Sequence, residues 1–358
     1  MLEGYIIKGY MSAKISFNIL FCITMLFISL CPSAKADQGI IHVTYPPDKT
    51  VMEFNILGIS LKTDINSTDL IKAYVNDEEI KSIVPDSKFE CFSVPLIVGV
   101  NKIHIIAFKD SSQVDEAGIS VFRRSELSKE HTIPPPGFNK DFFHMKDRFT
   151  CTRCHTLKPG MLDKKPVDIS AFPTRTLTDE IKTAATTSTC YSCHKALTAY
   201  PFVHGPAAVW SCLSCHEDGA KPNYSVSKPD TRMCLSCHIE QKEKWETRKY
   251  FHGPFNTGKC AICHNPHAAD YPFNLMNSTW DLCVSCHIDK GSGKHILERH
   301  MFASGTFFHP TRGVPDPLRT GKELTCASCH HPHASHSPRL LRFNVPNGFS
   351  LCRKCHAD

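Results

Sequence analysis

One short pattern, Cys-x-x-Cys-His, occurs eight times in this chain: Cys151–His155, Cys190–His194, Cys212–His216, Cys234–His238, Cys260–His264, Cys283–His287, Cys326–His330 and Cys352–His356. With 19 Cys and 21 His in 358 residues, chance would supply about 0.06 copies. The spacing has a chemical reason. Two thiols three positions apart lie on one face of a turn and can add to the two vinyl groups of one haem, and the next His is then held beneath the iron as its proximal ligand. Zinc is the rival for paired Cys-x-x-Cys, but zinc needs four ligands drawn from two knuckles and has no use for a His after every pair. The pattern therefore predicts eight covalent haem c groups. Their attachment points are Cys151, Cys154, Cys190, Cys193, Cys212, Cys215, Cys234, Cys237, Cys260, Cys263, Cys283, Cys286, Cys326, Cys329, Cys352 and Cys355. Their proximal ligands are His155, His194, His216, His238, His264, His287, His330 and His356.

Low-spin haem iron takes a sixth ligand, whose identity helps set the potential. Beyond the proximal residues, the same region offers His144, His204, His252, His267, His295, His300, His309, His331, His333 and His336. His267 lies three residues after His264, on the same side of that haem, so it must serve a neighbouring haem or none. The same holds for His333 after His330. His331, next to a proximal ligand, reads as a surface residue. The expected distal set is His144, His204, His252, His267, His295, His300, His309 and His333, enough for bis-histidine ligation throughout. Met145, Met161, Met233, Met276 and Met301 could replace single ligands, but none stands in a repeated context.

The motifs pair into an internal repeat. Each pair opens on aromatic residues and a His: Phe142-Phe143-His144, Phe202-Val203-His204-Gly-Pro, Tyr250-Phe251-His252-Gly-Pro and Phe307-Phe308-His309-Pro. The first motif follows, and the second lies 39, 22, 23 or 26 residues beyond it, Cys to Cys. Four two-haem units over 142–358 account for all eight motifs. The stretch has no long amphipathic helix and no alternating strands, and its 215 residues from 142 to 356 allow only about 27 per haem. The expected structure is haem-packed, mostly irregular and carries short helices, with the porphyrins supplying most of the apolar surface.

Ahead of it, residues 37–131 read as a β-sandwich. Apolar and β-branched segments (Ile40–Tyr45, Val51–Ser60, Leu70–Val75, Phe89–Val94, Lys102–Phe108, Ala117–Phe122) alternate with turn signals such as Pro46-Pro47-Asp48, Asn76-Asp77 and Gly99. The run Val98–Phe108 resembles the late strands of bacterial immunoglobulin-like (Ig-like) domains, a loose likeness that carries no site. Cys91, His42 and His104 read as core or surface residues. Three successive prolines in Thr132-Ile133-Pro134-Pro135-Pro136-Gly137 predict a semi-rigid linker over 132–141.

The N-terminus predicts export. Lys14 precedes a mostly apolar run from Ile15 to Leu30, and Ala34-Lys35-Ala36 ends it, so residues 1–36 read as a signal peptide cleaved after Ala36. Translation from Met11 would suit that signal better, and neither Cys22 nor Cys31 has the small residue before it that a lipid-anchor site requires. Cleavage leaves 17 Cys, of which only Cys91 lies outside the motifs, so a disulfide network is excluded. The net charge of +6 is mild and spread along the chain, which excludes a nucleic-acid footprint.

From about Phe142 to His356 the sequence resembles the doubled CXXCH cytochromes of metal- and sulfur-respiring bacteria. The likeness is strongest in His252-Gly-Pro…Cys260-Ala-Ile-Cys-His-Asn-Pro-His267 and in Asp316-Pro-Leu-Arg-Thr-Gly-Lys-Glu-Leu-Thr-Cys326-Ala-Ser-Cys-His-His-Pro-His333. The first two units depart from it, lacking the Pro-His after the first motif. The resemblance implies respiratory electron transfer outside the cytoplasm, in the periplasm or at the outer cell surface. Donor and acceptor cytochromes or membrane quinol-oxidising complexes are the expected partners, with no nucleic acid and no membrane span once the signal is cleaved. Two classes of function remain. A conduit needs every iron six-coordinate. A reductase or oxidase of nitrite, hydroxylamine or tetrathionate needs one open iron, and all eight motifs end in His with distal candidates in surplus. Redox sensing and iron storage are lesser readings. An electron carrier, not an enzyme, is expected.

Overall fold

Along β7 (Gly99–Lys109) buried and exposed positions alternate, with Asn101, Ile103, Ile105 and Ala107 inside and Val100 and Lys102 outside. That is the pattern of a strand with one covered face. The same alternation in β3 (Ile56–Thr63) buries Leu57, Ile59 and Leu61. The computed structural model describes residues 39–146, 149–161, 163–164, 187–291 and 309–356. His295, His300 and the expected signal peptide lie outside them.

Two sheets form the N-terminal region. One orders β1 (Ile41–Tyr45), β3 and β6 (Phe89–Pro95). The other orders β5 (Glu78–Ile83), β4 (Leu70–Val75), β7, β8 (Ser112–Arg123), β2 (Thr50–Met52) and β9 (Asn139–Lys140). Their facing residues merge into one core: Leu57, Ile59 and Leu61 from the first sheet meet Ile71, Ile103 and Ile105 from the second. The expected segment Val51–Ser60 is divided. Glu53, Phe54 and Asn55 interrupt it, and its halves join different sheets as β2 and β3. β5 was not anticipated, because its polar sequence EEIKSI is largely exposed at a sheet edge. The expected linker is partly sheet: Asn139 and Lys140 pair in parallel with Thr50 and Val51, and Phe138 packs edge-on against Phe122 at 6.0 Å. His42 and Cys91 are exposed, and His104 pairs with Glu116 at 3.2 Å on the strand surface.

The motif region contains short helices: α1 (Phe149–Thr152), α2 (Tyr191–His194), α3 (Gly205–Ala208), α4 (Asp230–Cys237), α5 (Ile239–Glu246), α6 (Gly253–Asn256), α7 (Thr279–Val284), α8 (Cys326–Cys329) and α9 (Gly348–Cys352). Two small ladders tie successive units. β10 (Phe202–Val203) pairs with β12 (Ala268–Ala269), and β11 (Tyr250–Phe251) pairs with β13 (Ala334–Ser335). None of the described helices is long and apolar enough to cross a membrane.

The two regions touch. Tyr45 packs against Phe143 at 4.9 Å, Asn55 donates to the Tyr200 hydroxyl at 2.8 Å, and Lys259 pairs with Glu126 at 2.8 Å.

Candidate functional site

Each Cys-x-x-Cys-His folds into one helical turn. In all eight, the His N–H donates to the carbonyl of the first Cys, at 2.9–3.1 Å. This bond sets the two thiols on one side of the turn and projects the imidazole beyond it. Turns of this length are marginal alone, so neighbouring contacts must hold them. A buried aspartate does so in three places. Asp163 accepts from Ser188 Oγ at 2.5 Å and Thr189 Oγ1 at 2.6 Å, just ahead of Cys190. Asp230 accepts from Ala261 N at 2.9 Å, just after Cys260. Asp316 pairs with Arg319 at 2.7 Å, and Arg319 in turn donates to Ser328 inside the Cys326 turn at 2.6 Å. Gly258 shows how tightly successive motifs meet. Its φ is +72°, and an added Cβ would lie 2.4 Å from Pro229. These aspartates sit at no recurring distance from the motifs and were not anticipated as supports for them.

The imidazoles come together in pairs, and the pairing follows a rule. In every unit the leading His faces the proximal His of the second motif: His144 with His194, His204 with His238, His252 with His287, and His309 with His356. The ring centroids are 6.2, 6.2, 6.1 and 6.2 Å apart. The first motifs are served across units. His216 faces His267 at 6.0 Å, and His264 faces His333 at 6.0 Å. Other ring contacts in the region scatter, from 4.1 Å for Trp245–His333 to 6.2 Å for Trp245–His331. The six His–His spacings fall within 0.2 Å of one another.

That spacing fits a metal between the rings. An imidazole nitrogen lies about 2.0 Å from a bound metal and roughly 1.1 Å from its own ring centre, so two rings across one iron would have centroids about 6.2 Å apart. The ring orientations agree. Nδ1 of His204, His216, His264, His309 and His330 each lies 2.7–3.0 Å from a backbone carbonyl, those of Pro266, Tyr224, Phe273, Pro310 and Arg339 respectively. Donation from Nδ1 leaves Nε2 as the free lone pair, the usual arrangement around a metal-bound histidine. His267 differs: its Nδ1 is buried without a hydrogen-bond partner. Burial pushes the pKa of His194 and His267 down to about 4 and that of His333 to about 3. These rings are therefore neutral at neutral pH, the form that can ligate.

Thiols of successive units also meet. Cys190 and Cys212, Cys234 and Cys260, and Cys283 and Cys326 lie close enough for each thiol to shift its neighbour's ionisation. Each contact joins the second motif of one unit to the first motif of the next. Among the described residues no three His, Cys, Asp or Glu converge to hold a metal ion.

His331 is not the surface residue expected. It is half-buried, and its Nδ1 accepts from His333 N and Ala334 N, both at 3.2 Å, so it shapes the loop that presents His333. Asn265 plays the same part for His267, accepting its N–H at 3.0 Å. Trp245, stacked on His333, was also missed, although a lone tryptophan in the charged helix α5 is a visible signal. His336 is exposed. Among the described residues no imidazole faces His155. The position equivalent to His267 and His333 in the second unit, three residues after His216, is Gly219.

The doubled CXXCH motif family matches residues 204–243, 252–292 and 316–358. The multihaem cytochrome MtrA of Shewanella baltica (strain OS185) is 29% identical over 99 residues, which cover 28% of this chain and 24% of that one. The chain thus spans about a quarter of the length of this curated relative. Among solved structures, fibronectin(III)-like modules of Clostridium thermocellum CbhA align with 23% of this chain and 94% of their own, at 17% identity and a TM-score of 0.21. A Bacteroides uniformis β-glucuronidase aligns with 26% of this chain and 12% of its own, at 13% identity and a TM-score of 0.21. Scores so low carry no argument. Behind an N-terminal region of β-sheet, three stretches of the C-terminal part of this chain match the doubled CXXCH motif family.

Proposed function

We propose that this protein is an octahaem c-type cytochrome that passes electrons along a file of haems outside the cytoplasm. The observation that carries the reading is the set of six facing imidazole pairs at one spacing. Each bound haem would supply reversible one-electron exchange between ferric and ferrous iron. The chain's own part is to attach, orient and enclose. The two cysteines of each motif hold the porphyrin by thioether bonds, and the following His binds the iron from one side. The rings facing them, His144, His204, His252, His309, His267 and His333, bind from the other. His295 and His300 are the candidates left for the irons of His155 and His330.

The thiol neighbours between units would bring the second haem of one unit beside the first haem of the next, which suits a file that follows the sequence. Export through the signal peptide would deliver the chain to the compartment where haem is attached. Redox proteins, a donor and an acceptor, are the fitting partners. The β region, free of attachment motifs, adds no haem.

The second reading is an enzyme with one open iron, reducing or oxidising nitrite, hydroxylamine or tetrathionate. One observation favours it: Gly219 stands where the rule of cross-unit ligation would put the ligand for the His155 iron. Intact mass of the mature protein, expressed with haem-attachment machinery, tests the haem count; fewer than eight haems refutes it. Carbon monoxide added to the reduced protein separates the two functions. A conduit leaves essentially the whole spectrum unchanged. One full haem equivalent of carbon monoxide complex, with nitrite turnover near 1 per second or more (about the low end for enzymes), favours the enzyme.

A further inference from the structure

Arg123 ends β8, in register with Met52 of β2 and Gly99 of β7. The next residue, Arg124, has two carboxylates, Glu126 at 3.1 Å and Glu53 at 3.7 Å. Arg123 has none. One of its terminal nitrogens, Nη1, donates to the carbonyl of Leu96 at 2.8 Å, while its Nε is buried without a hydrogen-bond partner. Burial lowers its pKa, and the one group that opposes this is the phenol of Tyr200, which lies in the motif region. A guanidinium stays charged under all ordinary conditions. Holding it half-buried with no counter-charge among the described residues is costly, and an anion beside it would remove that cost.

The place of this orphan points to the anion. It lies at the seam between the two regions. Three positions beyond Met52, Asn55 donates to the Tyr200 hydroxyl at 2.8 Å. One residue earlier, Phe54 packs against the ring of His267 at 5.3 Å. His267 faces His216, so the β region covers a ring that would serve the haem attached at Cys212 and Cys215. Every haem carries two propionates, and an arginine fork matches a carboxylate in shape as well as charge.

We propose that Arg123 pairs with a propionate of the haem bound between His216 and His267, which makes the β-sandwich part of that haem's binding site. The proposal rests on the haem reading above. It assigns the β region a chemical role: it neutralises one propionate, shields one axial ligand, and so sets one potential in the file. A ferrous haem carries one positive charge fewer than a ferric one, so a nearby cation favours the reduced form.

The test is a redox titration of the full-length, haem-loaded protein, followed by visible absorption. Arg123→Gln should move one component in eight to lower potential, with the haem count by mass unchanged. Arg123→Lys, which keeps the charge, should restore most of the shift. His267→Met marks the haem in question, because a thioether in place of imidazole raises its potential. Adding Arg123→Gln to that background should move the marked component. A shift on any other component, or eight unchanged potentials accompanied by reduced thermal stability, overturns the proposal and leaves Arg123 a packing residue. If Arg123→Gln fails to fold, Arg123→Lys and the wild type titrated across pH serve instead. In the His267→Met background the marked potential should then be nearly the same with arginine and with lysine and should hold as pH rises, because a paired cation keeps the propionate ionised; a fall with rising pH in either protein overturns the proposal. Protein that carries no haem at all would refute the underlying reading and not this one.

Discussion

The β-sandwich and the motif region solve the same problem with different materials. The sandwich buries fourteen apolar residues in one cluster, with Leu57, Leu61, Ile71, Ile105 and Ala107 wholly inaccessible. The motif region is larger, and its own cluster consists of Leu341, Val345 and Leu351. Its helices are 4 to 8 residues long, and large apolar side chains stand uncovered, with Phe273 81% and Phe349 70% exposed. A chain of this kind cannot offset the entropy of ordering itself from side-chain burial alone. Its Cys and His positions are precisely spaced nonetheless. The comparison teaches that the sandwich is specified by hydrocarbon packing and the motif region by attachment geometry, with the porphyrins as the missing apolar partner.

The largest expected effect follows directly. Residues 39–141 expressed alone should unfold cooperatively on heating and give strand-type circular dichroism. The piece 142–358 without haem should show neither cooperative unfolding nor chemical-shift dispersion. The fragment should run to 141 and not 131, because β9 completes the six-stranded sheet. A folded haem-free motif region would break the comparison outright.

How much of this was legible depended on the same division. The sandwich strands were readable where one face is covered, as in β7, and unreadable where neither is. β5 sits at an edge with a polar sequence, and β9 consists of two exposed residues held by backbone pairing and the Lys140–Glu53 ion pair. In the motif region the proximal residues were fully legible because thioether chemistry fixes their spacing. The distal candidates could be named but not paired. His267 was seen to be unable to serve its own haem, yet nothing in the sequence says that it crosses to His216 and not elsewhere. That pairing is set by the β10–β12 ladder, whose backbone bond from His204 N to His267 O spans 2.9 Å. Asp163, Asp230 and Asp316 were invisible for the same reason, since their partners lie far away in sequence or in no repeated position.

A core substitution sharpens the comparison from the other side. Ile105→Ala should destabilise the sandwich by about 2–5 kcal/mol, measured by denaturant unfolding of residues 39–141. In the full-length protein it should leave the haem spectra unchanged. Gly258→Ala should act in reverse. Its Cβ would strike Pro229 where the Cys234 and Cys260 turns meet, so haem incorporation should fall while the isolated sandwich is untouched.

The cross-unit rule is open to a narrower test. His267→Ala should open one iron to carbon monoxide, and it should be the iron attached at Cys212, in the preceding unit. The iron attached at Cys260, next to the mutated position, should keep His333 and remain closed. Proteolysis of the carbon-monoxide-loaded protein and spectra of the separated haem peptides before and after reduction would identify the perturbed site. An opened iron at Cys260 would reverse the assignment. His252→Ala is the within-unit counterpart and should open the iron of His287 in its own unit.

The smallest effect separates one pair from the rest. Five of the six imidazole pairs have ring planes within 35° of each other, from 7° for His216–His267 to 35° for His144–His194. His309–His356 stands at 83°. When two axial imidazoles are parallel, both donate into the same iron d orbital, the remaining pair of orbitals is split, and the ferric ion gives a rhombic low-spin resonance. When the rings are perpendicular, the two donations balance, the orbitals stay nearly degenerate, and the signal becomes strongly anisotropic with a large principal g value. Low-temperature paramagnetic resonance of the oxidised protein should therefore show such a signal from the His309–His356 haem, integrating to about one haem, beside rhombic signals from the other five described pairs. Replacing His309 by alanine should remove it and leave the rhombic signals in place. If the anisotropic signal persists in that variant, it arises from another haem, and the perpendicular pairing of His309 with His356 does not describe the loaded protein.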